Sequence, residues 1–177
     1  MRFIDRGGAR EVVAAAPSHA DALYNLARWL VHDPVEAEDL VQETYARALA
    51  AAHQFQSGSN LKAWLLRILR NAFLDSRRRS KPEAPDLLVG NVDEIGAPED
   101  QVADESQSAQ IRAVVADEVA QAVRALPEPW RTVILLDLEG LTEPEMADVL
   151  GCAEGTVKSR LSRARAALRG RLASHRA

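Results

Sequence analysis

The sequence holds a single cysteine, Cys152, in 177 residues, so an intramolecular disulfide is excluded. It is also poor in aromatic residues, 5% of the chain, and a core must be assembled mainly from Leu, Val, Ile and Ala. No apolar run reaches the ~18 residues of a membrane span, and no signal-peptide h-region is present. The expectation is a cytoplasmic protein with no direct membrane insertion. No segment alternates apolar and polar residues with the period of two that marks a half-buried strand, which leaves helix as the regular structure. The four histidines, His19, His32, His53 and His175, have no ligand spacing with Cys or carboxylates. A Gly-rich phosphate loop, a nucleophile elbow and an acid–base pair are likewise missing. No metal, no cofactor and no enzymatic activity are expected. Cys152 falls in an apolar turn that wants a small buried residue, which favours packing over redox sensing.

What is present is a folded, Ala- and Leu-rich chain with 47% hydrophobic residues, long enough for one medium domain or two small ones. A net charge of -4 argues against a nucleic-acid partner until it is resolved by position. Residues 33–43 carry five acids and no Lys or Arg. Residues 67–81 carry six bases against Asp75 alone, a local +5. Residues 82–110 carry eight acids and no base, and residues 156–177 carry seven bases and no acid. The total conceals two basic faces separated by an acidic stretch.

Apolar periodicity divides the chain. Leu23, Leu26, Ala27, Leu30 and Val31 form one helical stripe that ends near His32. Asp33, Pro34 and Glu36 then supply an N-cap, a first-turn proline and the third-position acid of a capping box, launching a helix with Ala37, Leu40, Val41, Thr44 and Ala48 inward. QFQSGSN, residues 54–60, is a loop by composition, and Asn60 is placed to cap a helix whose Leu61, Leu65, Ile68, Leu69 and Ala72 share a side. From Pro82 to about Asp104 no period is sustained, which predicts a flexible acidic linker. Periodicity resumes at Ile111 and stops at the Pro127–Pro129 break; short helices then run to Gly140, from Thr142 to Leu150, and from Thr156 to Leu172. The fold class is therefore all-α: a first domain over 1–81, a linker over 82–109 and a second domain over 110–177. The stretch before Pro17 carries no interpretable motif, and a short helix and a frayed end are both open.

The sharpest local signal is LTEPEMADVLGCAEGTVKSRLSRARAAL, residues 141–168, which reads as a helix-turn-helix. Thr142 and Glu145 make a capping box, Ala147 is small where two helices approach, and Gly151 permits the tight turn. With Thr156 as cap and Val157, Leu161, Ala164 and Leu168 inward, the outer face of the next helix presents Lys158, Ser159, Ser162 and Arg163 toward base edges. Arg160, Arg165 and Arg169 lie on flanking faces suited to phosphates. A solvated basic helix is the bland alternative; cap, small residue, glycine and one-sign charge together favour DNA. The acidic helix is open between a solvated face and a docking surface. Phe55, Trp64 and Phe73 beside Arg70, Arg77 and Arg78 are open between core packing and single-strand binding.

LVHDPVEAEDLVQETYARAL, then FQSGSNLKAWLLRILRNAFLDSRRR, then LPEPWRTVILLDLEGLTEPEMADVLGCAEGTVKSRLSRARAAL resembles regions 2 and 4 of the extracytoplasmic-function (ECF) sigma factors of the sigma-70 family. The resemblance covers roughly residues 20–80 and 110–172. It implies a sigma factor that directs core RNA polymerase to promoter DNA and promotes initiation, with stress response as the usual setting. Asp39, Gln42, Glu43 and Tyr45 would dock on the beta-prime clamp of the polymerase. The loop Phe55 to Asn60, with Lys62, Trp64, Asn71, Arg77, Arg78 and Arg79, would engage the -10 element and trap an unstacked base. Thr156, Lys158, Ser159, Arg160, Ser162, Arg163 and Arg165 would bind the -35 element. An acidic linker would thread a nucleic-acid channel of the polymerase, and an anti-sigma factor is implied as a partner. The chain departs from many relatives at Cys152-Ala153-Glu154, where an acid stands beside the reading helix. Two other readings stay in play. One is a sigma mimic that titrates an anti-sigma factor, which ought to lose its basic face. The other is a conventional helix-turn-helix regulator, which leaves DLVQET and NLKAWLLRI unexplained.

Overall fold

The computed structural model describes residues 6–31, 33–80 and 107–174, and the chain divides into two compact units, an N-terminal one that also takes in Asp148–Gly151 and a C-terminal one. Among the described residues all regular structure is helical. The expected linker lies outside the described residues, apart from its last three positions, which belong to a helix.

In the N-terminal unit, α1 (Arg6–Ala15) runs through a 3-10 turn (Ala16–His19) into α2 (Ala20–Val31), followed by α3 (Pro34–Ala50), a second 3-10 turn (Ala52–Gln54) and α4 (Leu61–Ser80). Helices α2, α3 and α4 pack on one another, and α1 packs on both 3-10 turns and on α3. The core is the one the periodicity marks: Leu23, Leu26 and Ala27 from α2, Ala37, Leu40 and Ala48 from α3, Leu61, Leu65, Leu69 and Ala72 from α4, all buried. Leu30, Val31, Val41 and Ile68 reach only half-burial at the edges of their stripes. Thr44 is wholly buried, and its hydroxyl donates to the Leu40 carbonyl one turn back, at 2.7 Å, which satisfies it. From Arg6 to Ala15 the uninterpreted N-terminal stretch is a helix, and Val12, with no exposed surface, fastens it to the bundle.

The caps hold with one change. Asp33 Oδ1 accepts the Glu36 N–H at 2.9 Å, and Asn60 Oδ1 accepts the Ala63 N–H at 3.1 Å. The amide of Asp33, which a full capping box would offer to Glu36, instead donates to the Val31 carbonyl at 2.7 Å. The sharp entry into α3 turns that amide back onto α2.

In the C-terminal part of the chain, α5 (Gln107–Arg124), α6 (Glu128–Leu138), α7 (Glu143–Leu150) and α8 (Glu154–Ser174) follow in order, and α8 packs on α5 and α6. Two turns share one construction. Gly140, at φ +79°, donates to the Asp137 carbonyl while Leu141 donates to Leu136; Gly151, at φ +62°, donates to Asp148 while Cys152 donates to Ala147. Each is a Schellman stop, which needs a left-handed residue that glycine adopts without Cβ strain. The second stop corrects the expected start of α8. The helix begins at Glu154, with the Ala153 carbonyl accepting from Thr156 and Val157, so Thr156 is a first-turn residue and not the cap. Ala153 has no polar side chain to cap with, and the Glu154 carboxylate in the first turn complements the helix dipole instead.

Candidate nucleic-acid interface

The exposed face of α8 follows from its buried one. Val157, Leu161 and Ala164 are buried, and this leaves Lys158, Ser159, Ser162, Arg163 and Arg165 exposed, with Thr156 and Arg160 half-buried at the margins. Leu168, expected inward, is only half-buried. Three of these side chains already have local partners. Lys158 Nζ stands 3.4 Å from Glu143 Oε2 on α7, Arg165 donates to Asp137 Oδ2 on α6 at 2.7 Å, and the Ser159 hydroxyl donates to the Thr156 carbonyl at 3.0 Å. The Thr142–Glu145 pair at the head of α7 is joined by the Thr142 N–H at 2.7 Å and the Thr142 hydroxyl at 2.8 Å, both donating to Glu145 Oε2. The N–H bond is the reciprocal half of a capping box, and the hydroxyl adds a second donor to the same carboxylate oxygen. Cys152 is half-buried, less enclosed than its turn position suggests.

The second candidate surface lies on the N-terminal unit. Residues 56–60 are exposed throughout, and Ser59 turns the chain by donating its N–H to the Gln56 carbonyl at 3.1 Å, with Gly58 at φ +81° between them. Asn71, Arg77, Arg78 and Arg79 are exposed along α4, while Lys62 and Trp64 are half-buried. The Arg77 guanidinium sits 5.7 Å from the centre of the Phe73 ring, a cation–π placement that steadies it at the helix end.

Phe55 does not belong to this surface. Its ring is 1% exposed and meets Trp64 at a centroid distance of 5.2 Å with the planes tilted by 56°. The expectation that it offers a stacking face is corrected: burial repays more for an apolar ring at the start of a polar loop than exposure does. Its contribution is to hold Trp64. Phe73 is a core residue as well, at 7% exposure, which settles its share of the open choice between packing and base stacking.

The acidic helix presents Asp39, Gln42 and Glu43 to solvent. Glu43 is held by Arg47 Nε at 2.7 Å, and the same guanidinium reaches Asp75 on α4 at 2.6 Å, so a surface carboxylate is tied to the neighbouring helix. That contact draws the Asp75 carboxyl below its ordinary range and raises Arg47. Tyr45 is half-buried and donates its hydroxyl to the Ala16 carbonyl at 3.3 Å; burial, with Asp21 adding to it, raises its phenol. His19 is pushed down by burial and then by the Lys62 charge. Sequence reasoning missed Glu11: from α1 it accepts the Ser57 hydroxyl at 2.7 Å and the Gly58 N–H at 3.2 Å. No local pattern signals a contact across that separation.

No helix among the described residues is long and apolar enough to cross a membrane. Residues 17–83 match the Sigma-70 region 2 family, and residues 116–168 match the Sigma-70 region 4 family. The chain is 37% identical over 159 residues to the ECF RNA polymerase sigma factor EcfG of Rhodopseudomonas palustris, covering 89% of this chain and 81% of that one. It is 38% identical over 153 residues to the ECF RNA polymerase sigma factor SigL of Mycobacterium tuberculosis, covering 85% and 82%. Among solved structures it resembles the sigma factor RpoE bound to the anti-sigma factor NepR, from Bartonella quintana, with a TM-score of 0.65, 32% identity and coverage of 92% and 94%. It also resembles CnrH in complex with the cytosolic domain of CnrY, with a TM-score of 0.60, 27% identity and coverage of 95% and 91%.

Proposed function

The chain belongs to the ECF RNA polymerase sigma factors of the sigma-70 family, and from that premise we propose how its surfaces divide the work of directing core polymerase to promoters. Residues 110–177 read the -35 element, with Lys158, Ser162 and Arg163 toward base edges and Arg160 and Arg165 toward phosphates. Residues 1–81 dock on the beta-prime clamp through Asp39, Gln42 and Glu43, with the half-buried Tyr45 shaping that surface from behind. The loop 56–60, with Lys62, Trp64, Asn71, Arg77 and Arg78, takes the -10 element once the duplex opens. An extruded base costs a few kcal/mol and needs a stacking surface and cations in return, which Trp64 and the α4 arginines supply.

The observation that carries this reading is the two-sidedness of α8. Its inner side is buried and apolar, and its outer side is polar, basic and exposed at successive turns, the layout that a helix needs to sit in a major groove. A mimic that only captured an anti-sigma factor would have no use for that face. An anti-sigma factor is the second partner we infer, since the relatives RpoE and CnrH were solved with NepR and with the cytosolic domain of CnrY. The protein works in the cytoplasm, where polymerase and promoter lie, and the polymerase supplies the bond-forming chemistry.

Run-off transcription with purified core polymerase and a promoter library tests the proposal. Start-site-selective RNA that depends on both upstream elements supports it; no selective RNA on any template overturns it. Selectivity that survives removal of the loop and α4 bases would take the -10 role from them.

A further inference from the structure

Residue 11 lies ahead of the segment that matches the sigma region 2 family, yet its carboxylate reaches the loop assigned to the -10 element. Two donors converge on one oxygen: the Ser57 hydroxyl at 2.7 Å and the Gly58 N–H at 3.2 Å both point to Glu11 Oε2. Both bonds fall on the turn in which Gly58 sits at a left-handed φ of +81°, so the carboxylate ties that turn to α1. A Cβ at Gly58 would meet nothing within 4 Å, so packing does not impose the turn there. The base from which Glu11 reaches out is firm. The adjacent Val12 has no exposed surface, Ala16 is 4% exposed, and α1 packs on the 3-10 turn that leads into the loop.

An exposed loop that must capture an unstacked base loses binding free energy if it has to be ordered first, and a restraint already in place removes that loss. We infer that Glu11 is a positioning residue for promoter opening: it pre-orders the turn at residues 56–59 so that the loop, Lys62 and Trp64 meet the -10 strand in one arrangement. The inference rests on the proposed -10 role of the loop. It gives α1 a part in promoter selectivity that neither region 2 nor region 4 contains.

The test uses holoenzyme assembled from the full chain and core polymerase. It compares Glu11→Ala, Glu11→Gln and a block replacement of residues 56–59 by Gly and Ala. The readout is the ratio of run-off RNA from a cognate promoter to that from single-base -10 variants, beside the same ratio for -35 variants. Glu11→Ala is expected to lower the -10 ratio about 10-fold, the scale of a lost charged hydrogen bond, with the -35 ratio unchanged. Glu11→Gln should stay within about twofold of the parent, because both bonds fall on one oxygen that a Gln carbonyl can replace. Amide exchange should quicken at Gly58 and Ser59 in Glu11→Ala and stay as it was in α4, which separates a loosened loop from an unfolded unit. Equal impairment of the Ala and Gln variants, or an unchanged -10 ratio in Glu11→Ala while the block replacement abolishes it, overturns the inference alone. An unchanged ratio in the block replacement overturns the loop reading beneath it.

Discussion

Arg47 and Asp75, 28 residues apart, meet at 2.6 Å across the α3–α4 packing, and the same guanidinium holds Glu43 of the proposed polymerase surface. The pair is partly exposed, so its contribution to stability is discounted for solvent to about 0.2–1 kcal/mol. A double-mutant cycle of Arg47→Ala and Asp75→Asn, followed by urea unfolding, should return a coupling in that range. Asp75→Asn is also expected to weaken core-polymerase binding slightly, by letting Arg47 and Glu43 swing together. A coupling of zero, with unchanged polymerase affinity, removes Arg47 as the link.

His19 gives the N-terminal unit a pH dependence. Burial and Lys62 lower its pKa in the folded state below the ordinary 6.5, so the unfolded chain binds the proton more readily. The stability this group contributes is fully present above 6.5 and is lost as pH falls below that value toward the folded pKa. Urea midpoints between pH 5 and 8 should decline on the acid side in the parent and flatten there in His19→Gln. Asp75, also lowered when folded, adds a second loss at more acid pH, as pH falls below its ordinary 3.8.

Phe55 and its neighbours separate stability from recognition. Phe55→Ala removes a fully buried ring and is expected to destabilise the unit by about 3–5 kcal/mol. Asn71→Ala and Arg78→Ala, both exposed, should change stability by no more than about 0.5 kcal/mol while weakening -10 binding. Unfolding curves together with binding of a single-stranded -10 oligonucleotide to holoenzyme decide between them. A nearly neutral Phe55→Ala would return that ring to the binding surface.

Arg163 and Arg165 should differ in kind. Arg163→Ala is expected to lose about 1–3 kcal/mol at the cognate -35 site and to relax specificity there. Arg165→Ala should weaken all sequences alike and reduce the salt slope by about 1, the mark of a phosphate contact. Its loss is softened because Asp137 already competes for the guanidinium. Uniform weakening by both variants demotes Arg163 to a backbone contact.

How much of this was legible in the chain depends on the range of the interaction. The stripes at Leu23, Leu40 and Leu65, the caps at Asp33 and Asn60 and the stop at Gly151 are local signals, carried by residues within one or two turns, and each reappears in the fold. Phe55 was misplaced because a lone ring in a polar run reads the same whether it faces solvent or Trp64. Thr156 looked like a cap because hydroxyls favour that position. The Schellman turn closes by Cys152, however, and lets α8 begin two residues earlier than a Thr156 start allows. Glu11 was invisible because its partners lie 46 and 47 residues away, and only tertiary packing of α1 brings them together.

The pose of α8 is fixed by backbone bonds at Gly140 and Gly151 and by its buried side, and the outward side chains at 158, 159, 162 and 163 take little part in setting it. The two jobs are therefore inherited separately. Exchanging outward residues would retarget the proposed promoter contact without rebuilding the mount, whereas a change at either glycine would alter the angle of approach for every target at once.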